Sequence, residues 1–256
     1  MYRATIRSIA DLAREVESLH CETRLRWWFR GHADADWLLL PSVRRDYTHS
    51  QEQVFSHEFR ARAGLRYARC PKYDDPAGWL PLMQHYGLPT RLLDWSSSAS
   101  VAAFFAAERA MRHSVAAPST DACIWAVAPG KLNEAQELEP LIYTLGATML
   151  HDMLSPAFYG KDGPARVAAA RMMETDIRMQ VQQGSFTIHT SDTPLNEIPG
   201  SDLWLQKFLI PMESVATIAR ELEFLGIRLA DLFPDLTHLA RELKGYYPPK
   251  PLRSPT

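Results

Sequence analysis

Thirteen consecutive residues, Gln84-His85-Tyr86-Gly87-Leu88-Pro89-Thr90-Arg91-Leu92-Leu93-Asp94-Trp95-Ser96, gather an imidazole, a phenol, a guanidinium, a carboxylate, an indole and two hydroxyls. Packing alone calls for hydrophobes at a regular period. Here groups that donate, accept or carry charge are interleaved with apolar anchors, which marks the stretch as the floor of a site. His85 could act as a general acid or base, because an unperturbed imidazole titrates near neutrality and a carboxylate such as Asp94 could orient it. A hydrogen-bonded structural histidine is the competing reading. Ser96, His85 and Asp94 have the residue types of a nucleophilic triad, but no GxSxG elbow occurs and serines 96–98 serve more economically as helix caps.

Arg30 lies in Trp27-Trp28-Phe29-Arg30-Gly31-His32, at the expected end of a strand and next to a glycine. A guanidinium there can approach a phosphate or ribose closely, so Arg30 and Arg91 are candidates to grip a pyrophosphate, with Asp94 accepting hydrogen bonds from a ribose. Gln182 or Gln183 could add an amide. The alternative for the same charges is a buried Arg91–Asp94 or Arg30–Asp94 pair. Nine dispersed histidines without HExxH, and three cysteines without CxxC spacing, indicate no metal site. Neither a Walker loop nor GxGxxG is present, which excludes the usual nucleotide-binding folds.

The elements that must position these residues follow from periodicity. A short amphipathic helix is expected over 8–20, covering the core as a lid, and aromatic residues predict a strand through Arg30 that Gly31 ends. The spacing predicts a helix over 51–69, whose arginines read as a solvated face or, with Tyr67, as a surface for nucleic acid. Residues 90–95 read as extended. The Ala- and Phe-rich run from Ala99 predicts a helix whose positive N-terminal end faces whatever binds beside Asp94 to Ser96. Strands are expected at Cys123–Val127, over 182–189 and at Lys207–Ile210, with helices at Arg166–Gln180 and Met212–Leu225, the latter capped by Gly226.

The class is α+β, in one large domain, and 46% hydrophobic residues suffice for a sizeable core. A net charge of −2 gives no global signature for nucleic acid or anionic membranes. Scattered cysteines, a charge-broken N-terminus and no long apolar run predict a soluble, cytoplasmic protein without membrane association.

Phe29-Arg30-Gly31, the central stretch 84–96, Ala103-Phe104-Phe105-Ala106, Gln182-Gln183-Gly184-Ser185-Phe186 and Leu232-Phe233-Pro234-Asp235-Leu236 together resemble the FRG domain, a bacterial family. On that resemblance residues 21–245 form the domain, after an N-terminal helical lid (1–20) and before a C-terminal tail (246–256). More distantly, Phe29-Arg30-Gly31 and Asp94-Trp95-Ser96 with the following helix are similar to mono-ADP-ribosyltransferases of the Arg-Ser-Glu type. That similarity implies a mixed or antiparallel sheet split into small sheets, with NAD as substrate and transfer or hydrolysis at its nicotinamide–ribose bond. It also implies a protein or nucleic-acid acceptor and a role as a toxin or anti-phage effector. Arg30, Gly31, Thr90, Arg91 and Ser96 would hold NAD, and His85, Asp94 and Gln182 would do the proton and charge work. Where those transferases carry Glu-x-Glu, this sequence has Gln182-Gln183-Gly184. A non-catalytic module that senses a nucleotide is the alternative function.

Overall fold

The computed structural model describes residues 2–111, 119–172 and 184–247. Its strands are β1 (Tyr2–Thr5), β2 (Trp28–His32), β3 (Leu92–Ser96), β4 (Ala122–Val127), β5 (Tyr143–Thr144), β6 (Val167–Arg171), β7 (Gly184–His189) and β8 (Leu205–Ile210). They form one mixed eight-stranded sheet in the order β1-β8-β4-β2-β3-β7-β6-β5. The expected division into small separate sheets is therefore corrected to a continuous sheet with a weak seam. β2 pairs with β4 from Trp28↔Val127 to His32↔Cys123, and β3 with β7 from Leu92↔Ile188 to Ser96↔Gly184, whereas β2 and β3 meet only at Phe29↔Ser96.

The helices are α1 (Ile9–Thr23), α2 (Ser42–Asp46), α3 (His49–Ala63), α4 (Pro76–His85), α5 (Ala99–Met111), α6 (Pro129–Ala135), α7 (His151–Leu154), α8 (Met212–Phe224), α9 (Leu229–Leu232) and α10 (Leu236–Tyr246). Ser8 caps α1 by accepting a hydrogen bond from the Asp11 N–H at 3.1 Å, and Leu12 and Leu19 bury its apolar stripe. β1 precedes it and pairs in parallel with β8, so the N-terminal segment adds an edge strand as well as a helix. Gly226, with φ +79°, follows α8 in the left-handed conformation expected of it.

Alternation along the strands assigns their faces. On one face α5 and α8 cover β2, β4 and β8, while α3, α4 and α7 cover β3, β7 and β6. Phe29 and Gly31 point toward α5, and the Phe29↔Ser96 pairing puts Ser96 and Asp94 on the same face. The other face carries Arg30 and His32 beside Trp125, Cys123 and Lys207. Segments 33–41 and 190–204 contribute to its cover: the Leu195 N–H donates to the Leu39 carbonyl at 2.9 Å and the Lys207 ammonium to the Ala35 carbonyl at 2.7 Å.

Val167-Ala168-Ala169-Ala170 lies within the expected helix over 166–180 and is instead the strand β6; the remainder, from residue 173, lies outside the described residues. All four are buried, Val167 and Ala169 in one apolar cluster and Ala168 and Ala170 in another. A strand sandwiched on both sides needs small side chains, and this tertiary demand overrides alanine's helix propensity.

Candidate functional site

Where β2 and β3 part, a cleft of about 310 Å³ opens between α4 and α5. Gln84 and His85 reach it from the last turn of α4, Asp94, Trp95 and Ser96 from β3, and Arg30 and Gly31 from β2. Ala102, Phe105 and Glu108 line it from α5 at three-residue spacing, one face of a helix. Phe29, Trp37 and Phe186 add aromatic wall.

Arg30 spans the seam. Its Nη1 donates to the Asp94 carbonyl at 2.8 Å, with the Asp94 carboxylate 3.9 Å away, and its Nε donates to His32 Nε2 at 3.0 Å. An Arg30–Asp94 contact is thus present, but it is not the buried pair considered from sequence, because the Asp94 side chain is 63% exposed. His32 is buried, and burial, with the Arg30, Arg45 and Lys207 cations, pushes its pKa down to about 2, so the ring is neutral. Because Nε2 accepts from Arg30, the ring proton resides on Nδ1.

Ser96 acts as a junction. Its Oγ accepts from the Ser98 N–H at 3.0 Å, and Ser98 Oγ accepts from the Val101 N–H at 3.3 Å, so serine side chains cap α5 as expected. Trp95 is held from below: its indole N–H donates to Thr187 Oγ at 3.0 Å, and that hydroxyl lies 2.9 Å from His189 Nε2. His189 is fully buried, and burial, then Arg44 and Arg30, lowers its pKa to about 3.

The sequence-predicted residues divide. Arg30, Gly31, His85, Asp94 and Ser96 come together at the cleft. Gly31 does not end β2 with a positive φ; it lies inside the strand because α5 passes so close that a Cβ would sit 1.9 Å from the Ala102 carbonyl oxygen. Thr90 and Arg91 are not part of the cleft lining. Thr90 is buried and donates its hydroxyl proton to the Gln84 amide oxygen. Arg91, fully buried, donates to both Glu52 carboxylate oxygens at 2.9 and 2.5 Å, to Asp162 at 2.7 Å and to the Met153 carbonyl at 2.9 Å. Its guanidinium is consumed by structure, and its partner is Glu52 rather than Asp94. Gln182 and Gln183 lie outside the described residues.

Sequence reasoning did not single out Glu108 and Trp37 as site residues. Glu108 was findable, standing one turn beyond Phe105 on the face that begins at Ala102. Trp37 was not, since only the folded loop brings its ring to 5.9 Å from that of His32. Among the described residues no group of three or more His, Cys, Asp or Glu side chains could hold a metal ion. No helix among them is long and apolar enough to cross a membrane.

The molecule is thus a mixed α/β protein with a charged, aromatic-walled cleft at the seam of its sheet. Residues 25–114 match the family model of the FRG domain. That stretch contributes the whole cleft lining except Gly184 and Phe186, yet only β2 and β3 of the sheet. No curated protein and no solved structure matches the chain.

Proposed function

We propose that the cleft binds the nicotinamide–ribose half of NAD and promotes cleavage of the bond joining them, as an ADP-ribosyltransferase-like enzyme or NAD glycohydrolase. The observation that carries this reading is the joint presence of one guanidinium, Arg30, and two carboxylates, Asp94 and Glu108, among aromatic walls. Nicotinamide in NAD is a planar cation, which aromatic faces and carboxylates attract, while a guanidinium favours the attached phosphate. The cleft volume is near the low end of ligand pockets, roughly 300–1,000 Å³, and suits half of a dinucleotide.

In the reaction the C1′–N bond breaks, its electron pair neutralises the pyridinium, and positive charge develops on the ribose. Asp94 and Glu108 are placed to stabilise that charge. An oxygen of water or of a protein or nucleic-acid acceptor then bonds to C1′, and its proton passes to His85 or a carboxylate. Such chemistry would suit a toxin or an anti-phage effector.

A second reading is a module that binds a nucleotide without turnover. The proximity of the Asp94 carboxylate to Arg30 favours it, because a carboxylate engaged with a cation is less available to a developing charge. Incubation with NAD, following nicotinamide release and transfer of label to protein or nucleic acid, separates the two. Turnover that falls at least about 100-fold in Glu108→Gln, with NAD affinity kept, supports chemistry. Binding without turnover in the wild type supports the module, and neither binding nor turnover removes both readings.

A further inference from the structure

We infer that His32 is a positioning residue for the cleft, orienting the Arg30 guanidinium toward ligand and supporting the Trp37 lip. The inference rests on Arg30 being the cleft's ligand-facing cation, as in the function proposed above. Arg30 and His32 stand two residues apart on one face of β2, where the strand period sets their side chains next to each other. A guanidinium has donors and no acceptor, so it needs a lone pair to fix its Nε edge. His32 Nε2 supplies one at 3.0 Å, and the Asp94 carbonyl fixes Nη1 at 2.8 Å. Held at both points, the planar group can rotate neither about its long axis nor out of the seam.

The same imidazole packs against the Trp37 side chain, and the two ring centroids are 5.9 Å apart. One buried ring thereby touches both the cation and an aromatic wall of the cleft. A protonated histidine would have no lone pair for Arg30 and would set two cations face to face. The neutral Nδ1–H tautomer is the form that fits.

The test compares His32→Gln, whose amide oxygen can accept from Arg30, with His32→Leu, which has similar bulk and no acceptor. With NAD as probe in calorimetry, His32→Gln should bind within about threefold of wild type and His32→Leu roughly tenfold more weakly, the loss expected for a charge-assisted hydrogen bond. Their thermal unfolding midpoints, compared in parallel, report any purely structural cost. Equal affinities for the two variants, whether both lowered or both unchanged, would overturn the role. ¹⁵N NMR of the wild type without ligand gives an independent readout: an Nδ1-protonated His32 and a slowly exchanging Arg30 Nε–H are expected. An Nε2-protonated ring refutes the inference. If wild-type protein fails to bind NAD the proposed function falls, while the tautomer and the Arg30 exchange rate still decide the part played by His32. If His32→Leu does not fold, His32→Gln and the NMR measurement decide it.

Discussion

Replacing Arg91 with methionine should strongly destabilise the fold, although Arg91 belongs to the stretch whose chemistry draws attention first. Glu52 is 1% exposed, and Arg91 is its bidentate partner. Asp162 is less dependent, because Arg44 also donates to it at 2.7 Å and its side chain is 20% exposed. The substitution therefore strands one buried carboxylate, at a cost of about 3–5 kcal/mol. At about 2–4 °C per kcal/mol for a chain of this size, the thermal midpoint should fall by roughly 6–20 °C. Urea denaturation read by far-UV circular dichroism provides the free energy. The double variant Arg91→Met with Glu52→Leu removes both charges and should recover most of the loss, since well-packed apolar replacements of a buried pair are often neutral. A single substitution costing less than about 1 kcal/mol, or a double variant no better than the single, would refute the assignment of Arg91 to structure. Burial raises the Asp162 pKa, but Arg91 and Arg44 outweigh it and hold the carboxyl below its ordinary value. That contribution is present above the unfolded pKa and lost as pH falls through the folded one, so Asp162→Asn should flatten the most acidic part of the stability profile.

Gly31→Ala should cost about 3 kcal/mol or more, because its Cβ would meet the Ala102 oxygen at 1.9 Å and the Ala106 nitrogen at 2.5 Å, both backbone. Gly64→Ala is the control: its φ of −57° is helical and nothing lies within 4 Å, so the thermal midpoint should stay level or rise. His189 is neutral in the folded protein down to about pH 3 but titrates near 6.5 when unfolded, so between those values the unfolded chain holds more protons. Its contribution is complete above the unfolded value and declines toward the folded one by about 1.4 kcal/mol per pH unit; urea midpoints of His189→Gln should show a shallower slope. Asn133 is fully buried; its amide donates to the carbonyls of Leu141 and Ala169 and its oxygen accepts from the Ala169 N–H. Asn133→Leu leaves these groups unmet and should cost about 2–4 kcal/mol in the same denaturation assay.

Local chemistry made part of this legible in the sequence. Aromatic residues at 27–29, the alanine- and phenylalanine-rich run after Ala99, and the repeat of Val215, Ile218 and Leu222 each reported their element, because burial of one face decides those segments. The capping role of the serines after Asp94 was readable for the same reason. Partners distant along the chain were not: nothing in residues 84–96 announces that Arg91 will find Glu52 and Asp162, 39 and 71 residues away. Alanine in β6 misled because its helix preference, although the highest of any residue, amounts to less than about 1 kcal/mol per residue and yields to a two-sided burial site that selects for size. Gly31 also conveyed the wrong reason. A glycine signals freedom of φ and tolerance of close approach equally, and only the position of α5 selects the second.

The cleft follows from how two packing units share one sheet. Gly31 draws α5 onto β2, and the apolar cluster around Phe104 and Ile218 holds it over the β4 half. Leu80 and Met83 commit α4 to a different cluster over β3 and β7. Each helix is placed by its own half, so neither covers the boundary, and the single Phe29↔Ser96 pair leaves backbone groups beyond it in need of partners. Arg30 meets that need at the Asp94 carbonyl, which puts a cation at the boundary for a structural reason. Once a guanidinium stands in a cleft walled by Phe29, Trp37 and Phe105 with carboxylates at Asp94 and Glu108, a charged planar ligand is the complement of its surface. Moving the cation elsewhere would open the seam, so site and fold constrain the same residue.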